Sequence, residues 1–448
     1  MIYDFIQIDR SCRLPMCTQL YEEIKKSVLD RRTPVGTRLP SIRSAAADLQ
    51  ISRTTVESAY IRLCNEGFLE SRPQSGYFVK LPALKPIPAK PVSCEPEILY
   101  DFRSGRIDLS AADIPIWKKH VRAALNNQMD IISYGEPQGE ESLRNAIAAY
   151  AYTARGVLSD AQNIVIGAGT QQLLTLFCSL FQKKAVVALD QPGFKQAERI
   201  FTDFGFDLIF IDPSCDRDIG EQLEKSGADI YLDIPSSKPK TTIASVQSQR
   251  RCLKDWLHAR PGRFIIEDDY NGELRYRARP LPSIQSMDPD RIVYLGSFSN
   301  LLLPSVRIAY MILPNILLEK YRERSHYYNQ TASKIEQIAL AEYIRHGYLE
   351  KHLRRLKKLY YEKSRRLYSE LKRQLKTARS LSVLETSLAI VLTLDTPLDD
   401  AAIYGLPLEY SVRIDSVSNK KVRLSFAGIP SEDIHEAVCR LKKAWEML

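Results

Sequence analysis

The chain has 448 residues, of which 44% are hydrophobic and 26% charged, and its formal net charge is +9. This composition excludes a disordered or collagen-like protein. The length exceeds what one compact core accommodates, so we expect two or three domains. The basic excess permits a polyanionic partner without requiring one, because net charge does not say where the charge lies.

The apolar and cysteine patterns do not favour a membrane, secreted or zinc protein. The longest apolar stretch, residues 308 to 318, is interrupted by Pro314 and Asn315, and it is shorter than the roughly 18 residues that a membrane span needs. The first ten residues contain Asp4 and Asp9, where a signal peptide is basic and then apolar. The eight cysteines form no CxxC pair and do not cluster with the six histidines. We therefore expect a cytoplasmic protein with reduced thiols and no membrane contact.

Residues 1 to 80 carry the pattern of three helices and a hairpin. Apolar residues recur at helical spacing in three segments: Leu20, Ile24 and Val28; Ile42, Ala45, Ala46 and Leu49; Val56, Tyr60 and Leu63. Ser41 and Ser52 can cap the second and third helices, and Gly67 is placed to end the third. The short gap between these two helices predicts a helix-turn-helix. The segment 68 to 79, with a turn at Gln74-Ser75-Gly76, predicts a β hairpin that forms a wing.

Together these residues resemble the winged helix of GntR-type regulators. The resemblance is carried by Arg38-Leu39-Pro40-Ser41-Ile42-Arg43, Ser52-Arg53-Thr54-Thr55-Val56, Ala59-Tyr60, Leu63, Glu66-Gly67 and Ser75-Gly76-Tyr77-Phe78-Val79. It implies double-stranded DNA as a partner, contacted by Arg38, Arg43, Ser52, Arg53, Thr54 and Thr55, with Gly76 at the wing tip. Short hydroxyls and an arginine at a helix N-terminus suit contacts with phosphates and base edges.

A composition shift separates this small domain from the rest of the chain. Residues 81 to 98 contain five prolines and almost no periodic apolar pattern. Because proline fixes φ and favours extended backbone, we interpret this segment as a semi-rigid linker. It would join a winged-helix domain, residues 1 to 80, to a large domain, residues 99 to 448.

The large domain alternates short β-branched runs with amphipathic stretches, which predicts a parallel sheet with helices on both faces. The runs are 163–166, 185–189, 207–211, 229–234, 264–266 and 292–295. Ligands of such folds lie beyond the carboxyl ends of the strands. Three runs are followed there by chemically distinctive segments: Gly167 to Gln172, Glu267 to Tyr270, and Gly296 to Asn300, with Arg307 further on.

These segments resemble those of fold-type I enzymes that use pyridoxal 5'-phosphate (PLP), and the whole chain resembles the MocR subfamily of GntR regulators. That subfamily joins a winged helix to an aminotransferase-like domain. Further stretches that carry the resemblance are Asp101-Phe102, Gly105, Tyr134-Gly135, Gly139, Leu143-Arg144, Gln191 to Phe194, Glu336-Gln337, Leu340-Ala341 and Arg423-Leu424. Related proteins are homodimers joined through the large domain, so the resemblance implies a homodimer and a small-molecule effector.

The resemblance also implies roles for individual residues. The cofactor phosphate would be held by Gly169, Thr170, Ser297 or Ser299, and Arg307. Phe194 would stack on the ring, Asp268 would pair with the pyridine nitrogen, and Tyr270 with the ring hydroxyl. An ionised aspartate keeps that nitrogen protonated, which makes the ring an electron sink. Arg423 would grip an amino-acid carboxylate as a planar fork with two donors.

The sequence departs from the family at three places near this pocket. Asn300 stands where the family has the lysine, and an amide cannot form a Schiff base because its lone pair is delocalised. The segment Pro235 to Thr241 lacks the usual His, Gln, aromatic and Gly residues, and Ser305 and Ala309 replace glycines. Lys238 or Lys240 can in principle supply a relocated amine, but a solvated loop lysine is the simpler interpretation.

Two functions from different classes follow. The first is a DNA-binding regulator that senses a small ligand without transamination. In one version it holds PLP non-covalently. In the other, the cofactor-type residues persist only as scaffold, and the protein has another effector or none. The alternative is an active PLP-dependent aminotransferase, against which Asn300 argues. Separately, residues 351 to 376 hold eleven basic and two acidic residues. This segment predicts a helix with a solvated basic face, which either adds phosphate contacts to DNA or is only solvated.

Overall fold

The structure is a computed structural model that describes residues 6, 8–9, 14–80, 97–107, 109–126, 131–181, 184–190, 194–212, 219–235, 243–276 and 282–446. The chain divides into two compact units, Met1–Glu95 and Pro96–Leu448. The predicted boundaries at residues 80 and 99 stay predictions, because most of the proline-rich segment lies outside the described residues. Among the residues described, no helix is long and apolar enough to cross a membrane.

The small unit is a winged helix. Its elements are α1 (Met16–Leu29), β1 (Arg38–Leu39), α2 (Ile42–Asp48), α3 (Arg53–Asn65), β2 (Leu69–Arg72) and β3 (Gly76–Val79). The strands form one antiparallel sheet in the order β1-β3-β2. Ser41 and Ser52 cap α2 and α3 as predicted, each accepting a backbone N–H at 3.1 Å. Gly67 follows α3 with a φ of +79°, the left-handed conformation that glycine adopts readily.

The large unit is built on two sheets. Its strands are β4 (Tyr100–Asp101), β5 (Ile164–Gly167), β6 (Val186–Asp190), β7 (Asp207–Ile211), β8 (Ile230–Asp233), β9 (Phe264–Asp268), β10 (Ile292–Ser297), β11 (Ala309–Ile312), β12 (Ala378–Leu384), β13 (Ala389–Leu394), β14 (Val412–Arg413), β15 (Ser416–Ser418) and β16 (Lys421–Ser425). The main sheet has seven strands in the order β5-β11-β10-β9-β8-β6-β7. The second is antiparallel with the order β12-β13-β16-β15, and β4 pairs separately with β14.

Helices cover both faces of the main sheet, as its wholly buried strands require. The described helices of this unit are α4 (Ile114–Asn126), α5 (Glu141–Arg155), α6 (Thr170–Ser179), α7 (Lys195–Asp203), α8 (Ile219–Ser226), α9 (Ile243–Ala259), α10 (Asn315–Ser325), α11 (Lys334–Arg345), α12 (Tyr348–Gln374), α13 (Asp400–Glu409) and α14 (Ile434–Glu446). The α/β class predicted from the alternating pattern is confirmed.

The six strands predicted from the β-branched runs are parallel to one another, but the main sheet contains a seventh strand, β11, that was not predicted. β11 lies between β10 and β5 and is antiparallel to both. Only residues 298 to 308 connect β10 to β11, which is too short for the helical crossover that a parallel neighbour needs. The chain therefore turns back on itself, and this return brings Arg307 to the same edge of the sheet as the end of β10.

The basic segment forms most of α12, with its predicted apolar stripe buried against the core. Leu353, Leu356, Tyr360 and Leu367 are at most 7% exposed. The exposed basic side chains of the helix are Lys351, Arg354, Arg355, Lys358, Arg365, Arg366, Lys372 and Arg373. The expectation that all its charges lie in water was wrong for Lys363. That side chain is fully buried and donates to the carbonyl of Ala427 at 3.2 Å, and burial lowers its pKa to about 8.

Candidate functional site

The carboxyl ends of three strands bring the predicted cofactor residues to one edge of the main sheet. β9 ends at Asp268, which is in register with Leu295 of β10. β10 ends at Ser297, which is in register with Ala309, and Ala309 is in turn in register with Gly167 at the end of β5. Because these strands are neighbours or linked through β11, the three segments singled out in the sequence meet here.

The three consecutive carboxylates at the end of β9 have different surroundings. Glu267 accepts from the Ser283 hydroxyl, and it also accepts from the backbone N–H groups of residues 284 and 285, both at 3.1 Å. Asp269 forms a buried ion pair with Arg155 at 2.6 Å and accepts from the Tyr294 hydroxyl at 3.1 Å. The alternation of strand side chains separates Asp268 from both of these networks.

Asp268 is buried without a partner. Its side chain is 3% exposed, and it makes no hydrogen bond or ion pair with any residue that the structure describes. Burial, with a smaller contribution from Asp269, raises the pKa of Asp268 to about 7. A buried carboxylate is unfavourable unless a donor or cation satisfies it. A protonated pyridine nitrogen is such a donor, so this position fits the role that the resemblance implies.

Gly169 and Arg307 form a second part of the site. Gly169 caps α6 with a φ of +100°, and a Cβ placed on it would overlap the Arg307 guanidinium. Arg307 itself has a φ of +52°, a left-handed conformation that is uncommon for a residue other than glycine. Its guanidinium is exposed and lies 3.5 Å from the carbonyl of Ala168. A cation beside the N-terminal amides of a helix suits a phosphate.

Asn300 lies just after β10 and is held by side chains from two other segments. Its Nδ2 donates to Oδ1 of Asn271 at 3.1 Å, and Nδ2 of Asn271 donates to the carbonyl of Thr386 at 2.7 Å. Asn271 is 2% exposed, whereas Asn300 is half-buried. The sequence interpretation did not include Asn271 or Thr386. Asn271 directly follows Tyr270, but nothing in the sequence relates it to Thr386, which is 115 residues away.

The remaining predicted cofactor residues also lie around this edge. Thr170 is the first residue of α6, and the backbone N–H of Ser299 donates to Oγ of Ser297 at 3.3 Å. Phe194 and Tyr270 are both half-buried and pack against the same hydrophobic core. The unusual segment from residue 235 onward, including Lys238 and Lys240, lies outside the described residues except for Pro235.

Arg423, predicted to hold the effector carboxylate, contacts a carboxylate of the chain itself. It lies on β16, in register with Ser416 of β15, and its Nε is 3.1 Å from Oδ2 of Asp415. Asp415 also accepts from the backbone N–H and hydroxyl of Ser104 at 3.0 and 2.6 Å. The guanidinium predicted to grip an effector carboxylate therefore already has a carboxylate partner within the chain.

The predicted DNA-contacting residues lie on two parts of the winged helix. Arg53, the first residue of α3, is exposed, and the Ser52 hydroxyl lies 2.8 Å from that of Thr54 and 2.7 Å from that of Thr55. At the wing, the Arg38 guanidinium is 3.5 Å from where a Cβ on Gly76 would lie. Arg43 is exposed on α2. In the described part of the chain, no ion pair occupies these arginines.

Comparisons with known proteins match both units. The family described as "Bacterial regulatory proteins, gntR family" matches residues 17–79, and "Aminotransferase class I and II" matches residues 98–228. The chain is 34% identical to the uncharacterized HTH-type transcriptional regulator YdeL of Bacillus subtilis (strain 168), over 98% of this chain and 99% of that protein. It is 26% identical to the probable rhizopine catabolism regulatory protein MocR of Rhizobium meliloti, over 98% and 95%.

Among solved structures, the α-aminoadipate aminotransferase LysN from Thermus thermophilus is similar to this chain with a TM-score of 0.68. The match covers 78% of this chain and 92% of that one, at 22% identity. That structure is complexed with N-(5'-phosphopyridoxyl)-L-leucine. The likeness establishes the aminotransferase fold of the large unit.

Proposed function

Since the chain belongs to the MocR subfamily of GntR-type transcriptional regulators, we propose that it binds double-stranded DNA through its winged helix and PLP through its aminotransferase-like domain. In this proposal the cofactor is bound without a covalent bond, and the domain senses a small ligand without transamination. The observation that carries the proposal is the buried carboxylate of Asp268, which has no partner among the described residues and would pair with the pyridine nitrogen.

In this proposal each chemical group of the cofactor has a partner among the residues at the sheet edge. Asp268 would hold the pyridine nitrogen and Tyr270 the ring hydroxyl, while Phe194 would pack on the ring. The phosphate would be held by Arg307 and the N-terminal amides of α6, with Gly169, Thr170, and Ser297 or Ser299 around it. When bound in an aminotransferase, PLP supplies a ring that withdraws electrons from an attached amino acid.

Asn300 separates this proposal from the enzymatic alternative. An amide nitrogen has no free lone pair, so it neither attacks the aldehyde of PLP nor accepts a proton as an amine does. Its own nitrogen is further engaged by Asn271. We therefore propose that the domain binds its ligand and does not turn it over. The scaffold interpretation, with no ligand at this position, leaves the carboxylate of Asp268 with no partner in the part of the chain that the structure describes.

Exposed basic and hydroxyl side chains of the winged helix support the DNA-binding part of the proposal. Arg38, Arg43 and Arg53 are all exposed. The hydroxyl groups of Ser52, Thr54 and Thr55 surround the first turn of α3, where backbone N–H groups also attract phosphate. We propose that α3 enters the major groove and that Gly76 lets the wing approach the backbone of the duplex.

We also propose a homodimer joined through the large domain, since operators read by winged helices are commonly matched by two-fold symmetric proteins. Light scattering after size-exclusion chromatography would test the dimer. A monomer at micromolar concentration would contradict it. The amino-acid-like effector belongs to the same proposal, and the Nη groups of Arg423 would hold its carboxylate while Nε faces Asp415.

Titration calorimetry of the full-length protein with PLP would test the cofactor proposal. We expect heat of binding with a single site per chain, and no PLP-modified peptide after borohydride reduction and mass spectrometry. An Asp268→Ala variant should bind at least about 10-fold more weakly, because a charge-assisted hydrogen bond contributes about 1.5 to 3 kcal/mol. Absence of heat at millimolar PLP would refute cofactor binding, and a reduced adduct on any lysine would refute the non-covalent mode.

A further inference from the structure

The orientation of the Asn300 amide is fixed by a chain of hydrogen bonds. The carbonyl of Thr386 can only accept, so the group of Asn271 that lies 2.7 Å from it must be the donating NH₂. Oδ1 of Asn271 is then the acceptor for the next contact, and Asn300 must donate to it with Nδ2, at 3.1 Å. The assignment of oxygen and nitrogen in both amides therefore follows from which groups can donate.

This orientation leaves Oδ1 of Asn300 as an acceptor for a ligand, beside the second N–H of the same amide. Among the residues that the structure describes, none donates a hydrogen bond to this oxygen. Asn300 is half-buried at the end of β10, beside the segment that ends in the unpartnered Asp268. The position at which related proteins carry an amine thus presents a fixed hydrogen-bond acceptor.

We propose that Asn300 makes the site select the amine form of the cofactor, pyridoxamine 5'-phosphate (PMP), over the aldehyde form, PLP. This inference rests on the proposed function, because it concerns the same site. The two forms share the ring, the hydroxyl and the phosphate, and they differ in the group at the 4' carbon. The amine donates N–H groups that Oδ1 can accept, whereas the aldehyde offers only oxygen lone pairs.

The aldehyde cannot be accommodated by a simple rotation of Asn300. If the amide turned to direct its NH₂ at the ligand, its oxygen would face Oδ1 of Asn271, and two acceptors would meet. Rotating Asn271 as well would place its oxygen against the carbonyl of Thr386. Because Asn271 is buried, water does not relieve this mismatch, so the acceptor stays in place. The charged amine then gains a charge-assisted hydrogen bond to Oδ1, whereas the aldehyde gains at most a weaker, neutral hydrogen bond from the second N–H of the amide.

Calorimetry with the full-length protein in an amine-free buffer would test the inference. PMP, PLP and pyridoxine 5'-phosphate would be titrated separately, with borohydride and mass spectrometry confirming that no PLP is attached to lysine. We expect PMP to bind about 10-fold more tightly than PLP, the difference made by one charge-assisted hydrogen bond. The alcohol, which can donate one hydrogen bond, should fall between them.

Two variants separate the effect of the hydrogen-bond chain from Thr386 through Asn271 to Asn300 from general effects on the pocket. Asn300→Leu removes the acceptor, and Asn271→Ala frees the Asn300 amide to rotate, so in both the ratio of PMP to PLP affinity should approach 1. Asn126→Ala, at the exposed end of α4, is the matched control and should keep the wild-type ratio. Circular dichroism would confirm folding, and Asn300→Leu still tests the inference if the buried Asn271 variant fails to fold.

The outcomes distinguish this inference from the function on which it rests. Binding of both forms, with PLP as tight as PMP or tighter, would overturn the selection of the amine and leave cofactor binding intact. A wild-type ratio in the Asn300→Leu variant would also overturn it. If neither form binds at millimolar concentration, the cofactor proposal and the inference both fail.

Discussion

Replacing Asp268 with Asn should stabilise the ligand-free protein at pH 8 while it weakens cofactor binding. The carboxylate is buried, has no partner among the residues described, and has a pKa raised from 3.8 to about 7 by burial and by Asp269. In the unfolded chain the same group titrates near its ordinary value. The folded state therefore binds the proton more strongly, and the ionised side chain destabilises it as the pH rises.

The size of the effect follows from the shift in pKa. A shift of about 3 units at 1.36 kcal/mol per unit sets an upper limit of about 4 kcal/mol for the penalty. The penalty is absent below pH 4, grows between pH 4 and 7, and is complete above pH 7. Asn removes it, but leaves a buried NH₂ without a partner, which costs about 1 to 3 kcal/mol. We expect a net gain of about 1 to 3 kcal/mol at pH 8 and little or no gain at pH 5.

Denaturation of the full chain followed by tryptophan fluorescence would measure this difference. The three tryptophans, Trp117, Trp256 and Trp445, all lie in the large unit, so the signal reports on the domain that contains the site. Asp269→Asn is the control, because it breaks the buried ion pair with Arg155 and should destabilise by about 3 to 5 kcal/mol at both pH values. An Asp268→Asn effect that is the same at pH 5 and pH 8 would refute the argument from an unpartnered carboxylate.

Three further predictions concern the covalent chemistry and the two basic surfaces. Asn300→Lys should restore an amine, so that borohydride traps a PLP adduct on that residue in peptide mass spectra, while the wild type gives none at this position. Arg53→Ala should weaken operator binding by about 10-fold or more, measured by fluorescence anisotropy, and Lys26→Ala, exposed on α1, should not. Replacing Arg354 and Arg365 with Gln should lower the salt slope of DNA binding by about 0.9 for each lost phosphate contact. An unchanged slope would mean that this face of α12 is only solvated.

The winged helix could be predicted from the sequence because its signals are local. Ser41 and Ser52 cap helices whose first turns they precede by one residue, and Gly67 ends α3 in the conformation its missing side chain allows. The hairpin turn at Gln74 to Gly76 is a short-range signal of the same kind. In each case the residue that causes the cap, helix end or turn lies within four residues of it, so the local sequence is enough to predict the structure.

The large unit could be predicted only where its elements repeat a simple pattern. The alternation of β-branched runs and amphipathic stretches indicated six of the main strands, but the direction of β11 depends on the length of the connection before it. The sheet of β12, β13, β15 and β16 was not predicted, because alternation within segments such as Lys421 to Ser425 does not say with which distant segments they pair. Strand order and direction are properties of contacts between distant segments, which periodicity does not record.

The same holds for the site: residues within one segment could be predicted from the sequence, but their partners in distant segments could not. The run of acidic residues at the end of β9 was visible in the sequence, but the different surroundings of its members were not. Arg155, which pairs with Asp269, lies 114 residues earlier in the chain, and Thr386 lies 115 residues after Asn271. The sequence therefore identified Asp268 and Asn300, while the distant partners that distinguish Asp268 from Asp269 and fix the Asn300 amide appear only in three dimensions.

The free-energy cost of burying the Asp268 carboxylate helps to decide whether the sheet edge is a cofactor site or only a remnant of the fold. Glu267 and Asp269 have donors from the chain itself, and they contribute to the packing of the sheet edge. Asp268 has none among the described residues, so in the empty protein it is a source of instability. If Asp268 served only as scaffold, Asn or an apolar side chain could replace it without loss of stability. The carboxylate becomes favourable only when a ligand supplies a protonated nitrogen. Under the scaffold interpretation, Asp268→Asn should stabilise the protein and leave ligand binding unchanged. The cofactor interpretation requires the same substitution to stabilise the empty protein and to weaken the binding of PMP.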